Sequence, residues 1–375
     1  MTVTLRLLAT LTLLASMGCT RNTNELRIGA YIPLTGSTAS WGKSGKQAID
    51  LAVGEVNAGG GVLGKRIRVM YEDTQSLPEQ AKVAVLKLIK QQKVAAVIGE
   101  IASSRCLAGA PEAQRHKIPM VSPYCTNPKV TQIGSFIFRV CYIDPFQGEA
   151  MAKFAYEQLG VHRAAILRDI KNDYSVGLAD FFIKTFTALG GTIIADAAYS
   201  EGDIEFRSQL TQLKAANPEA IFVPGYYTEV GLIARQAREL GLSIPLLGGD
   251  GWDSPKTTEI GGDAVNGGYF SASFAADDPN PLGQEFIRKF REKYGSNPDG
   301  TAATSYEAAL VLVDAIRRAG SIDGTAIREA LAATKDFQGV AGRLSIDANR
   351  NAVKRIVIMK IEGGQLKFNS AVEPS

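Results

Sequence analysis

Strand-length apolar runs alternate with segments whose apolar positions recur at helical spacing, and this rhythm holds almost to the end of the chain. "LRIGAYIPL", "KRIRVMYED", "VAAVIG", "IPMVSP" and "FIFRVC" read as strands. Between them, "SGKQAIDLAVGEVNA", "LPEQAKVAVLKLIKQQ" and "SSRCLAGAPEAQRHK" read as helices, the first stopped by Gly59-Gly60-Gly61. A second series begins at Asp144: "PFQGEAMAKFAYEQLG" opens as a helix with Pro145 in its first turn. "RAAILRD", "TIIADAAYS", "AIFVPG" and "IPLLGG" then alternate with further helical segments. "GGYFSASF" is a strand that leaves this series, and three helical stretches follow it. The tail reads as strands with a turn at Gly363-Gly364.

Repeated strand–helix units build parallel sheets covered on both faces. Two such series in 375 residues predict two α/β lobes. Neither first strand is followed by G-x-G-x-x-G, so a dinucleotide site is unsupported. "GSTASWGKSG" imitates a P-loop, but five residues, Ser37 to Trp41, separate Gly36 from Gly42-Lys43-Ser44 where the motif needs four. It reads instead as a loop that touches a small ligand.

Composition changes this picture little. A net charge of +3 with scattered basic residues gives no nucleic-acid or anionic-membrane surface. The N-terminus adds more: Arg6, the apolar run Leu7 to Leu14 and "ASMGC" resemble a lipoprotein signal ending at Cys19. Residues 1–19 are therefore expected to be a signal, Cys19 a lipidation site, and 20–25 a tether. The mature protein is expected to be periplasmic, or lipid-anchored to the cell envelope. Export allows a disulfide among Cys106, Cys125 and Cys141, and the first two are preferred because both fall at neighbouring tips of one sheet. Neither His116 nor His162 has metal-type spacing to a cysteine, so no metal or cofactor is expected.

Ligands of open α/β sheets lie beyond the carboxyl ends of the strands. There the first lobe offers Trp41, Ser103, Ser104, Tyr124 and Thr126, and the second offers Tyr174, Tyr226, Tyr227, Asp250 and Asp253. A helix N-terminus with the Ser103 and Thr126 hydroxyls suits a carboxylate. Asp250 with tyrosine faces suits an ammonium group. Opposed across a cleft, the two describe an α-amino acid, with Trp41 and Tyr174 along its side chain. Glu100 and Glu229 read as solvated.

From about Leu26 to Phe368 the chain resembles the bacterial periplasmic solute-binding proteins for leucine, isoleucine and valine, the receptor subunits of ABC importers. "IGAYIPLTGSTASWG", "VSPYCTNPKVT", "FRVCYIDPFQG" and "PGYYTEVGLIARQARELG" carry the likeness. The resemblance implies an α/β fold of two Rossmann-like, doubly wound lobes with parallel sheets, joined by a three-strand hinge. The lobes are expected at 26–143 plus 274–340 and at 144–273 plus 341–375. It implies that Ser103 and Thr126 take the ligand carboxylate, and that Asp250, Tyr226 and the backbone of Tyr124 take the ammonium. Two positions depart from the common pattern: aspartate at 250, where glutamate is frequent, and tyrosine at 124, where a small residue is frequent.

The expected protein is a monomeric receptor that closes on a hydrophobic amino acid and delivers it to ABC permease subunits. The alternatives are the same fold holding an amide, urea or aromatic carboxylate, or acting as a ligand sensor. No nucleophile accompanies the Asp250 and Asp253 carboxylates and no G-x-S-x-G elbow is present, so an enzyme is not expected.

Overall fold

The structure is a computed structural model that describes residues 24–374. The signal-like segment, Cys19 and residues 20–23 of the tether lie outside the described residues. The first lobe opens with β1 (Glu25–Ile32), α1 (Ala39–Ala58), β2 (Arg66–Asp73), α2 (Pro78–Lys90), β3 (Ala96–Gly99), α3 (Ser103–Arg115), β4 (Met120–Ser122), α4 (Lys129–Gln132) and β5 (Ile137–Arg139). Its strands form one parallel sheet in the order β2-β1-β3-β4-β5. The short central strands are wholly buried and, apart from Ser122, carry no polar side chain, as both faces are covered.

The second lobe runs through α5 (Asp144–Lys153), β6 (Arg163–Asp169), α6 (Asp173–Ala188), β7 (Thr192–Tyr199), α7 (Arg207–Ala215), β8 (Ala220–Phe222), α8 (Tyr227–Glu239), β9 (Leu246–Gly248), α9 (Pro255–Gly261) and β10 (Tyr269–Ala272). The chain then returns to the first lobe with α10 (Pro281–Tyr294), α11 (Gly300–Ala319), α12 (Gly324–Ala332) and the small sheet of β11 (Phe337–Gly339), β12 (Gly342–Ile346) and β13 (Ala352–Val353). These helices start on side-chain caps: Asn280, Asp299 and Asp323 each accept first-turn amide N–H groups. α11 packs beside α1, and its apolar residues belong to the first-lobe core with Ile49, Ala52 and Ile98.

The last crossing leads to β14 (Ile356–Glu362) and β15 (Gln365–Val372), a hairpin turning at Gly363-Gly364, both with positive φ. It completes the second sheet, β15-β14-β10-β9-β8-β6-β7, antiparallel only at the β10–β14 and β14–β15 pairings. The chain therefore passes between lobes at residues 140–143, 273–280 and 354–355. The boundary expected at 340/341 needs correction, because it cuts the β11–β12 hairpin, whose Leu344 and Ile346 lie in the first core. At the true crossing the Lys354 ammonium meets the Glu307 carboxylate of α11 at 2.7 Å, both fully buried. Glu307 also accepts the Ala341 N–H, so one side chain fixes the hairpin and the crossing together. Among the described residues no helix is long and apolar enough to span a membrane.

Candidate functional site

Trp41 lies in the first turn of α1 rather than in a loop. The helix starts early because Gly42 packs against the end of β1, where an added Cβ would sit 1.8 Å from the Pro33 carbonyl oxygen. The glycine of the P-loop look-alike thus serves close packing. Trp41 is buried, sends its indole N–H to the Asp253 carbonyl at 2.9 Å, and meets Tyr226 edge-on at 5.0 Å.

The other first-lobe groups come from strand ends. α3 begins at Ser103, and its first turn leaves amide N–H groups outside the helix ladder. The Ser103 hydroxyl accepts the Asn127 N–H at 3.2 Å, fixing the loop after β4 against α3. Cys106 and Cys125 join the same two segments as a disulfide with Cα atoms 6.5 Å apart, while Cys141 is free and buried. Thr126 is buried next to the first crossing: its carbonyl accepts the Asp144 N–H, and its hydroxyl holds the Asp144 pKa down against burial.

On the second lobe, a 3₁₀ turn, Asp250–Trp252, follows β9. Trp252 anchors it by donating its indole N–H to the Val223 carbonyl at 2.9 Å. Gly249 permits the close approach of α5 and α6, since a Cβ there would lie 2.3 Å from the Tyr174 hydroxyl. Gln147 of α5 accepts both the Asp250 N–H (2.8 Å) and the Ser271 hydroxyl (2.7 Å). The Tyr174 hydroxyl accepts the Gly251 N–H at 3.0 Å, and its ring stacks on Tyr226 at 5.4 Å. Tyr226 donates to Asn172.

The cleft is closed. Trp41, Ile101, Ser103, Tyr124, Tyr174, Tyr226, Asp250 and Gly251 enclose a cavity of about 10 Å³, roughly the room one water needs. Ser103 and Asp250 thus line one cavity with Trp41, Tyr124, Tyr174 and Tyr226; Thr126 is not among the enclosing residues. Asp250 Oδ2 is buried without a hydrogen-bond partner. Burial drives the Asp250 pKa well above the usual carboxylate range and the Asp144 charge adds to this, while the Tyr174 hydroxyl and Gln147 amide offset part of it. Asp253 is raised the same way, by burial and then by Asp299 and Asp250.

Glu100 and Glu229 are buried, contrary to expectation. Glu100 accepts from Thr74 and from the Ile101 and Ala102 amides, and Glu229 accepts the Gly202 N–H. Gln147, which holds the site's shape, carries no local sequence signal, because its partner Asp250 is distant; Asn172 carries one, as the side-chain cap of α6 that accepts the Tyr174 N–H. Among the described residues no group of three or more His, Cys, Asp or Glu side chains is placed to hold a metal ion.

Two α/β lobes closed over a small buried site are the architecture of a solute receptor. The chain belongs to the periplasmic binding protein family, whose model matches residues 25–365. It is similar to Leu/Ile/Val-binding protein homolog 2 of Brucella abortus, 31% identical over 86% of each chain. Among solved structures it is similar to the leucine binding protein LivK of Thermotoga maritima: 41% identity, TM-score 0.90, 93% of this chain and 99% of that one. It also matches LivJ of Streptococcus pneumoniae, a branched-chain amino acid transporter substrate binding protein in complex with isoleucine, at 32% identity, TM-score 0.89, and 93% and 100% coverage. These relatives are binding proteins rather than enzymes, and the family implies an exported, periplasmic location.

Proposed function

We propose that this protein is a receptor that closes on a hydrophobic α-amino acid and delivers it to an ABC permease. The branched-chain type is the one its relatives' names point to. Ser103 and the α3 N-terminus, with Thr126 behind them, take the carboxylate; Asp250, Tyr226 and the Tyr124 backbone take the ammonium; Trp41 and Tyr174 flank the side chain. The observation that carries this reading is the unpartnered, buried Asp250 oxygen in a cavity that also holds Ser103. A buried carboxylate oxygen without a hydrogen-bond partner is expensive, and an ammonium group satisfies it while drawing the pKa back down. A ligand that touches both lobes only when they are closed stabilises that state. An anchor at Cys19 would hold the receptor at the envelope.

The high Asp250 pKa supports one second reading. A neutral Asp250 is a hydrogen-bond donor, which suits an amide or an aromatic carboxylate. Thermal melting of the chain from Asn22 onward, against amino acids, amides and aromatic acids, separates the two. A ligand at a hundredfold excess over its Kd stabilises by about 2.7 kcal/mol. A shift with amino acids supports the first reading; a shift only with ligands lacking an ammonium group replaces it.

A further inference from the structure

We propose that Tyr124 sets the size of the ligand, favouring α-amino acids with short apolar side chains, alanine and valine, over leucine and isoleucine. This rests on the amino-acid reading above and narrows it.

The Tyr124 ring projects from the first lobe into the shared cavity and is buried there. Its centroid lies 6.3 Å from that of Trp41. Its hydroxyl crosses to the second lobe, 3.3 Å from Asp253 Oδ2 and 3.5 Å from the Asp250 carbonyl. The same Asp253 oxygen accepts the Gly300 N–H at 3.1 Å, so the ring ends against the start of α11.

The other rings are more firmly held. Trp41 is bonded through its indole N–H to Asp253, Tyr174 through its hydroxyl to Gly251, and Tyr226 is stacked on Tyr174. Among the described residues the Tyr124 hydroxyl makes only its two long contacts, so it is the ring a growing ligand side chain displaces first. Little more than the room for one water remains beside it. Any α-amino acid must widen so small a cavity, and a short side chain displaces the ring least. A longer one pushes it aside, removes the phenol from Asp253, and leaves that buried carboxylate with the Gly300 N–H. Losing a hydrogen-bond donor to a buried carboxylate opposes the gain from each added methylene.

Calorimetric titration of the chain from Asn22 onward with glycine, alanine, valine, leucine and isoleucine tests this, using wild type, Tyr124→Ala and Tyr124→Phe. Wild type is expected to bind alanine or valine at least about tenfold more tightly than leucine or isoleucine, within what pocket size can discriminate. Tyr124→Ala should reverse that order. Tyr124→Phe, which keeps the ring and loses the hydroxyl, should keep it. Wild type binding leucine or isoleucine as tightly as alanine and valine overturns the proposal even if neither variant folds. So does an unchanged order in Tyr124→Ala. If none of the five binds wild type or Tyr124→Ala while an amide or aromatic acid does, the amino-acid reading itself falls and the size filter falls with it.

Discussion

The Arg105 guanidinium of the first lobe meets the Glu201 carboxylate of the second at 2.6 Å, and neither residue lines the ligand cavity. Arg105 is 2% exposed, and the Ser37 hydroxyl also donates to Glu201 at 2.8 Å. This pair exists only when the lobes are together, so it biases closure independently of what is bound. Glu201→Gln removes the charge with little change of shape, while Arg105 keeps Glu100 and Thr38 as partners. We expect ligand affinity to fall about three- to tenfold, the share of a charge-assisted bond that survives partial exposure. Titrations at low and high salt check this; equal affinity for variant and wild type removes the latch.

Stability should depend on pH through buried carboxylates. Burial raises Glu229 to about 7, with the Glu201 and Asp169 charges adding to it, and burial raises Asp144 to about 7. Both sit above their unfolded values, so the folded state binds more protons between roughly pH 4 and 7. Their contribution is therefore fully present below pH 4 and is lost as pH rises through 7. Glu229→Gln should gain about 2 kcal/mol relative to wild type between pH 5 and pH 8. Urea melts at the two pH values measure it, and a difference that does not change with pH refutes the assignment.

The Cys106–Cys125 disulfide spans 19 residues and joins the start of α3 to the loop bearing Tyr124 and Thr126. Breaking it with a double serine substitution should cost about 3 kcal/mol by loop-closure entropy. It should also weaken ligand binding, because it loosens the Tyr124 loop from α3 and leaves the Ser103–Asn127 hydrogen bond to hold them. Cys141 is different: burial pushes its thiol up to about 12, so alkylation of the native protein should leave it unmodified. Mass spectrometry after iodoacetamide treatment, with and without denaturant, reads both states.

The strand–helix rhythm was legible because each unit is local. The glycine pair at Gly363-Gly364 marked its hairpin for the same reason. Trp41 was misplaced into a loop because Gly42 looks like a helix breaker, whereas its use is close contact with the carbonyl of Pro33, just beyond β1. Glu100 and Glu229 looked solvated because charge usually is; their partners Thr74 and Gly202 lie 26 and 27 residues along the chain. Gln147 was invisible for the same reason, lying 103 residues from the Asp250 amide it fixes. Local pattern reports elements, but it does not report which distant donors meet a buried acceptor.

Asp250 joins stability to binding. Its unpartnered oxygen and raised pKa mean that the protein carries a burial penalty at this position that Tyr174 and Gln147 offset only in part. Asp250→Asn keeps the shape, and its amide removes the titration. We expect the ligand-free melting temperature to rise by a few degrees, the equivalent of about 1 kcal/mol. We expect amino-acid affinity to fall about a hundredfold, because an amide neither neutralises an ammonium group nor accepts from it as strongly. Opposite movements of the two quantities are the signature of a group kept for the ligand at the fold's expense. If the variant melts lower and binds amino acids normally, Asp250 is a structural acid and the ammonium lies elsewhere. If it melts higher and binds an amide or aromatic acid more tightly than wild type, the cavity is built for a ligand without an ammonium group.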